Sequence, residues 1–321
     1  MNTSPPMCAY AALRPCQSTV LPIRTFSYHV RVWPAAAGAA DQPPLVLLHG
    51  WMDVAASWQF VVDALTPGFV AQRTIIAPDW RGFGLSRPIS ACDDYNMPDY
   101  LADLDMLLDS LAGDSPVDLV GHSMGGNLAM TYAGVRPGRI RRLVNLEGFG
   151  QPSTAPEQAP ARYAQWMDQV KALHAGQLAL RPYADVQGVA QRLMKTNPRL
   201  AADKALWLAQ HWAAPNAQGE WEILGDAAHK IINSQLYRVD ETLALYQAIT
   251  APVLAVHASD DSLGGWWKGR YTLQEYHQRL THVRNVRTAV VQDAGHMLHH
   301  DQPQAVAGLI EDFVTAAVPA A

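Results

Sequence analysis

The stretch Val117-Asp118-Leu119-Val120-Gly121-His122-Ser123-Met124-Gly125-Gly126-Asn127-Leu128-Ala129-Met130 decides how this chain is read. Val117 to Val120 suits a short strand, and the residues after Gly126 suit a helix. Between them stands Gly-x-Ser-x-Gly, a sharp strand-to-helix turn that presents the Ser123 hydroxyl. Glycines at 121 and 125 remove the β-carbons that would clash in such a turn. The helix that follows aims its N-terminal N–H groups at charge developing on a substrate oxygen, so Met124 N–H is the first expected oxyanion donor. A serine hydroxyl is a weak nucleophile without a base and a group that orients the base. The rest of the sequence must therefore supply a histidine and a carboxylate.

Working outward, short apolar runs recur before loop residues. Leu45–Leu48 ends at His49-Gly50, Thr74–Ala77 ends at Pro78-Asp79, and Arg142–Leu146, Val253–Val256 and Ala289–Val291 continue the series. Strands of this kind suit a parallel sheet buried on both faces. Helical spacing fills the intervals, as in Leu101, Leu104, Leu107, Leu108 and Leu111. Alternation along Thr19–Trp33 predicts paired antiparallel strands. The expected fold class is α/β, a mostly parallel central sheet with helices on both faces. One interval breaks the alternation: residues 151–250 open with QPSTAPEQAPA and then carry helical patterns at 162–174, 184–195, 199–212 and 240–249. They read as a helical cap inserted into a core of 19–150 and 251–321, after a loose extension of 1–18. Asn197-Pro198 is the expected N-cap and N1 pair of the third helix.

The loop after Leu45–Leu48 offers a second oxyanion donor in Trp51 N–H, with Gly50 allowing close backbone approach and His49 supporting the loop. His296 follows Ala294-Gly295 on a loop after a strand, which makes it the expected base. His299 and His300 lie nearer the last helix and read as solvated or capping. Asp260, Asp261 and Glu147 all stand just past strand ends.

PDWRGFGLS (78–86), GHSMGG (121–126), HASDD (257–261) and AGHMLHHDQP (294–303) together resemble the α/β-hydrolase superfamily across nearly the whole chain. The resemblance implies an α/β-hydrolase fold with nucleophile, acid and histidine in that order: Ser123, Asp261 and His296. Ala258-Ser259-Asp260-Asp261 stands where the family has G-x-x-D, with Ala258 departing from its glycine. Asp260 and Glu147 remain alternative acids, Glu147 because some relatives take the acid from an earlier strand. The resemblance also gives Asp79 and Arg81 a structural role. GDAAHKIINSQLYRVDET (225–242), with NLEGFG (145–150), is similar to the serine hydrolase-like subfamily. That likeness equally allows Glu147, with His229, Lys230, Asn233, Tyr237 and Arg238, a place in cap packing and hydrogen bonding.

With 321 residues, 49% of them hydrophobic, the chain can bury a large core. A net charge of -5 with scattered basic residues offers no footprint for nucleic acid. Cys8, Cys16 and Cys92 have no zinc-like spacing, so neither a metal nor a cofactor is expected. No apolar run approaches a membrane span, and the N-terminus lacks a signal-peptide pattern, so a cytoplasmic location is expected. Trp58, Trp207, Trp212 and Trp266 are candidate pocket lining. The expected activity is a carboxylesterase on small-molecule esters with an apolar acyl or alcohol part. Carbon-carbon bond hydrolysis or acyl transfer could use the same triad, and a catalytically silent binding protein is the reading from another class.

Overall fold

The computed structural model describes residues 10–39 and 42–317. Strands β1 (Gln17–Ile23) and β2 (Phe26–Trp33) form the expected antiparallel hairpin. Then follow β3 (Leu45–Leu48), α1 (Gln59–Ala64), α2 (Pro67–Gln72), β4 (Ile75–Pro78), the two-residue β5 (Arg87–Pro88), α3 (Met97–Ala112), β6 (Val117–His122), α4 (Met124–Val135) and β7 (Ile140–Leu146). The segment beyond β7 carries α5 (Ala159–His174), α6 (Val186–Thr196), α7 (Ala202–Trp212), the small hairpin β8 (Ala213–Pro215) and β9 (Trp221–Ile223), and α8 (Val239–Ala248). The chain closes with β10 (Val253–Ala258), α9 (Ser262–Trp267), α10 (Leu273–Leu280), β11 (Val286–Val291), α11 (Leu298–Asp301) and α12 (Pro303–Thr315).

The main sheet runs β1-β2-β4-β3-β6-β7-β10-β11, with β5 beside β2. From β4 to β11 every neighbouring pair is parallel. Side chains alternate between two apolar layers because successive β-carbons point to opposite faces. Val46 and Leu48 join one cluster with Leu104, Leu107 and Leu128, while Leu45 and Leu47 join the other with Val61, Ile310 and Phe313. The α/β-hydrolase fold expected from the sequence is thus the fold observed. All parallel strands end on the same edge, which brings the loops after β3, β6, β7, β10 and β11 to one place.

Three boundaries differ from the sequence reading. The described part of the extension is docked: Tyr10 hydroxyl and the Leu13 and Arg14 N–H groups donate to the Asp63 carboxylate of α1, and the Arg14 guanidinium donates to the carbonyls of Val62, Asp63 and Leu65. Residues 1–9, with Cys8, lie outside the described residues. Pro198 sits in a turn, and α7 starts at Ala202 with Ala201 as its N-cap. Asn197 instead donates to Asp301 at 2.7 Å. Finally α8 packs on α4, where a β-carbon on Gly134 would meet the Leu245 carbonyl at 2.4 Å. It is the crossover helix into β10, so the departure from alternation ends before Val239.

α6 and α7 pack with Val54 and Phe60 into a third apolar cluster, which fixes that part of the insertion to the core. A second tie is His229, stacked between Phe83 and Tyr95 with both ring centroids at 3.7 Å.

The turn after β6 is the tightest point of the fold. Ser123 adopts φ +53° and ψ -115°, a region that L-residues rarely occupy. A β-carbon on Gly121 would lie 2.3 Å from the Gly125 carbonyl oxygen, and one on Gly125 would lie 2.4 Å from that of Leu48. Backbone on both sides leaves no flexible group to yield. Gly125→Ala is therefore expected to cost about 3 kcal/mol, the upper range for overpacking, measurable as a lower urea midpoint at unchanged slope.

Candidate active site

β6 ends at His122, and the Ser123 N–H donates to the Leu146 carbonyl at 2.8 Å, tying the turn to the end of β7. The next residue along β7 is Glu147, at φ +57°, whose N–H donates to Val256 of β10 at 2.9 Å. Its Oε1 accepts the Ala258 N–H at 2.7 Å. Those two bonds aim the other oxygen, Oε2, at His296 Nδ1, 3.1 Å away. His296 stands on the loop between β11 and α11, and its Nε2 lies 2.9 Å from Ser123 Oγ. A carboxylate can only accept, so Nδ1 carries the proton and Nε2 offers its lone pair to the serine hydroxyl.

The structure corrects the acid. Asp261 does not reach His296: it N-caps α9, with its side chain accepting the Gly264 N–H at 2.8 Å. Asp260 is exposed and paired with Arg199 at 2.7 Å. Glu147, named from the sequence only as an alternative, holds the position. Its mark in the sequence is its place directly after the strand that neighbours the nucleophile's own strand.

The His49-Gly50-Trp51 loop passes against the serine, since a β-carbon on Gly50 would lie 3.3 Å from Ser123 Cβ. Among the described residues, no protein acceptor takes the N–H of Trp51 or of Met124, the latter at the first position of α4. Both are free for a ligand oxygen. His49 braces this loop from a buried position, with Nδ1 donating to the Gly50 carbonyl at 2.7 Å and Nε2 accepting the Trp80 N–H at 2.8 Å. Asp79 gathers the N–H groups of Ala55 and Leu85 and sits 2.8 Å from His29, a structural role.

Of the four tryptophans, Trp266 lies beside the triad geometry, half exposed, with its ring centroid 4.3 Å from that of His296. Of the other three, Trp58 is corrected: it is fully buried in the core, where it packs on His299. Trp207 and Trp212 pack against the third apolar cluster, and Trp212 Nε1 donates to Asp53 at 3.3 Å. Trp51, which follows Gly50, is also exposed. His299 and His300, expected at the surface, are buried. A cavity of about 1210 Å³ lies elsewhere, between Asn127, Thr131, Tyr163 and Tyr237, and neither Ser123 nor His296 lines it.

Burial pushes His296 down to about 4 and Glu147 up to about 7, the latter partly offset by the Ala258 N–H. The competent form pairs a neutral imidazole with an ionised carboxylate, and acidification first adds a proton to that pair. A neutral carboxylic acid no longer stabilises an imidazolium. Any turnover that uses this pair is therefore expected to fall as pH drops through about 7. A kcat/KM profile flat across roughly pH 5 to 8 would contradict this coupling.

The family model of the alpha/beta hydrolase fold matches residues 43–303. The chain belongs to that family. Among its relatives, a serine hydrolase-like protein of Danio rerio is 25% identical over 295 residues, covering 90% of this chain and 85% of the relative. The soluble epoxide hydrolase of Corynebacterium sp. is 27% identical over 280 residues, covering 82% and 87%. The thioesterase domain from the curacin biosynthetic pathway superposes with a TM-score of 0.76 at 23% identity, covering 92% of this chain and 99% of that one. This last likeness is one of fold. Among the described residues no helix of this hydrolase-family chain is long and apolar enough to cross a membrane.

Proposed function

We propose that this hydrolase-family protein is a serine carboxylesterase that works through Ser123, His296 and Glu147. The observation that carries the reading is His296 bridging Ser123 Oγ at 2.9 Å and Glu147 Oε2 at 3.1 Å. In the proposed reaction His296 Nε2 takes the serine proton as Oγ attacks the ester carbonyl, and the N–H groups of Trp51 and Met124 receive the oxyanion. Collapse expels the alcohol with the proton returned by His296 and leaves an acyl-serine. Water, deprotonated by the same imidazole, then releases the acid. Glu147 holds the tautomer and stabilises the imidazolium in both halves.

A hydroxyl nucleophile supports acyl transfer over epoxide opening, even though an epoxide hydrolase is among the relatives. The exposed ring of Trp266 beside His296 supports esters with an apolar acyl or alcohol part. The inserted segment from residue 151 to the start of α8 is proposed to act as a cap over the substrate, and the protein to work in the cytoplasm.

A fluorophosphonate probe, competed by a chain-length series of esters beside a vinylogous diketone, tests the reading. Labelling at Ser123 and protection by apolar esters are expected. A folded protein that resists the probe would end the enzyme reading, and turnover of the diketone alone would move it to carbon-carbon bond hydrolysis.

A further inference from the structure

Behind the triad lies a group of polar side chains that the reaction does not use. Asp53, His122 and His299 are buried, at 4%, 1% and 0% exposure. One oxygen or nitrogen from each lies within 4.8 Å of the other two. His122 Nε2 is 2.8 Å from the carbonyl oxygen of His296, which can only accept, so this nitrogen carries the proton and Nδ1 presents a bare lone pair. No donor meets that lone pair among the described residues. Asp53 Oδ1 accepts from the Val54 N–H, Ser57 hydroxyl and Trp212 Nε1, whereas Oδ2 has no partner. Neither nitrogen of His299 has one, and Nε2 faces Asp53 Oδ2 at 3.7 Å, too far for a hydrogen bond.

Orphaned polar atoms at full burial are costly, and three side chains that each carry one stand within reach of a single ion. We propose that Asp53, His122 and His299 form a binding site for one divalent transition-metal ion of the zinc type. Two imidazole nitrogens and one carboxylate oxygen suit zinc, cobalt(II) or iron(II), while magnesium and calcium favour all-oxygen sets. Ligand atoms around tetrahedral zinc stand about 3.4 Å apart, so atoms at most 4.8 Å apart need to move inward by about 0.8 Å each. The second shell is also in place: a metal-bound histidine commonly donates its other N–H to a backbone carbonyl, as His122 does to His296.

The experiment uses the full chain, freed of metal by a chelator, titrated with zinc chloride by calorimetry and with cobalt chloride by visible absorption. Wild type is expected to bind one ion that His299→Phe does not, with affinity lowered at least about 100-fold in the variant. Phenylalanine keeps an aromatic ring there without the orphaned nitrogens, though with a larger side chain. Should that variant fail to fold, Asp53→Asn is the second variant, with circular dichroism as the check. Equal binding by wild type and folded variant, or none by wild type, overturns the site.

Discussion

Glu147→Gln is expected to lower kcat by about 10⁴-fold, near 5.5 kcal/mol of transition-state stabilisation, while Asp261→Asn stays within about threefold of wild type. The asymmetry follows from what each side chain touches. Glutamine at 147 keeps the size of the group but can turn an amide N–H toward His296 Nδ1, which selects the tautomer whose Nε2–H faces the serine and cannot accept its proton. The charge that stabilises the imidazolium is lost as well. Asparagine at 261 remains a good N-cap for α9, and its side-chain oxygen can still take the Gly264 N–H. Steady-state hydrolysis of a chromogenic ester by both variants decides the matter. A large loss in Asp261→Asn with little in Glu147→Gln would return the acid to the position the sequence motif favours. The near-neutral limb of the pH profile should vanish in Glu147→Gln, because the carboxyl that titrates at about 7 is gone.

The carboxylate that meets His296 is harder to read from sequence than the contact between His296 and Ser123, and the reason is range. The nucleophile's turn is encoded within five residues, and each glycine is required by a backbone contact inside that turn or with β3. His296 is marked by a glycine and a strand just before it. The acid is different, because three carboxylates follow strand ends and all could face the same edge of the sheet. What separates them is the order β6-β7-β10-β11 and the local fate of each side chain: Asp261 turns back onto its own helix, Asp260 meets Arg199 from the insertion, and Glu147 is steered by an N–H from the next strand. None of those partners is near in sequence. The same holds for Trp58, whose core position depends on packing against His299 about 240 residues away, and for α8, whose helical pattern is legible but whose docking on α4 is not. Histidines near a helix end are usually wet, and only the tertiary fold encloses His299 and His300.

Ser123→Gly is expected to abolish turnover and raise stability in the same molecule. Without the hydroxyl no acyl-enzyme forms, so kcat should fall by about 10⁴ to 10⁶-fold. The backbone argument runs the other way. At φ +53° and ψ -115° a residue with a β-carbon carries about 1–3 kcal/mol of strain, which glycine does not. Glycine also gives the unfolded chain about 0.4–1 kcal/mol of extra entropy, which offsets part of the gain. The lost hydrogen bond to His296 Nε2 costs little, because the imidazole is 23% exposed and water can replace the hydroxyl. The net expectation is a variant about 1 kcal/mol more stable by urea unfolding, silent toward fluorophosphonate. Ser123→Ala separates the two effects, since it removes the nucleophile but keeps the β-carbon and hence the strain. It should be as inactive as the glycine variant and no more stable than wild type. If alanine gained as much stability as glycine, backbone strain at the elbow would not be the source, and the turn would owe its conformation to nothing that the nucleophile has to overcome.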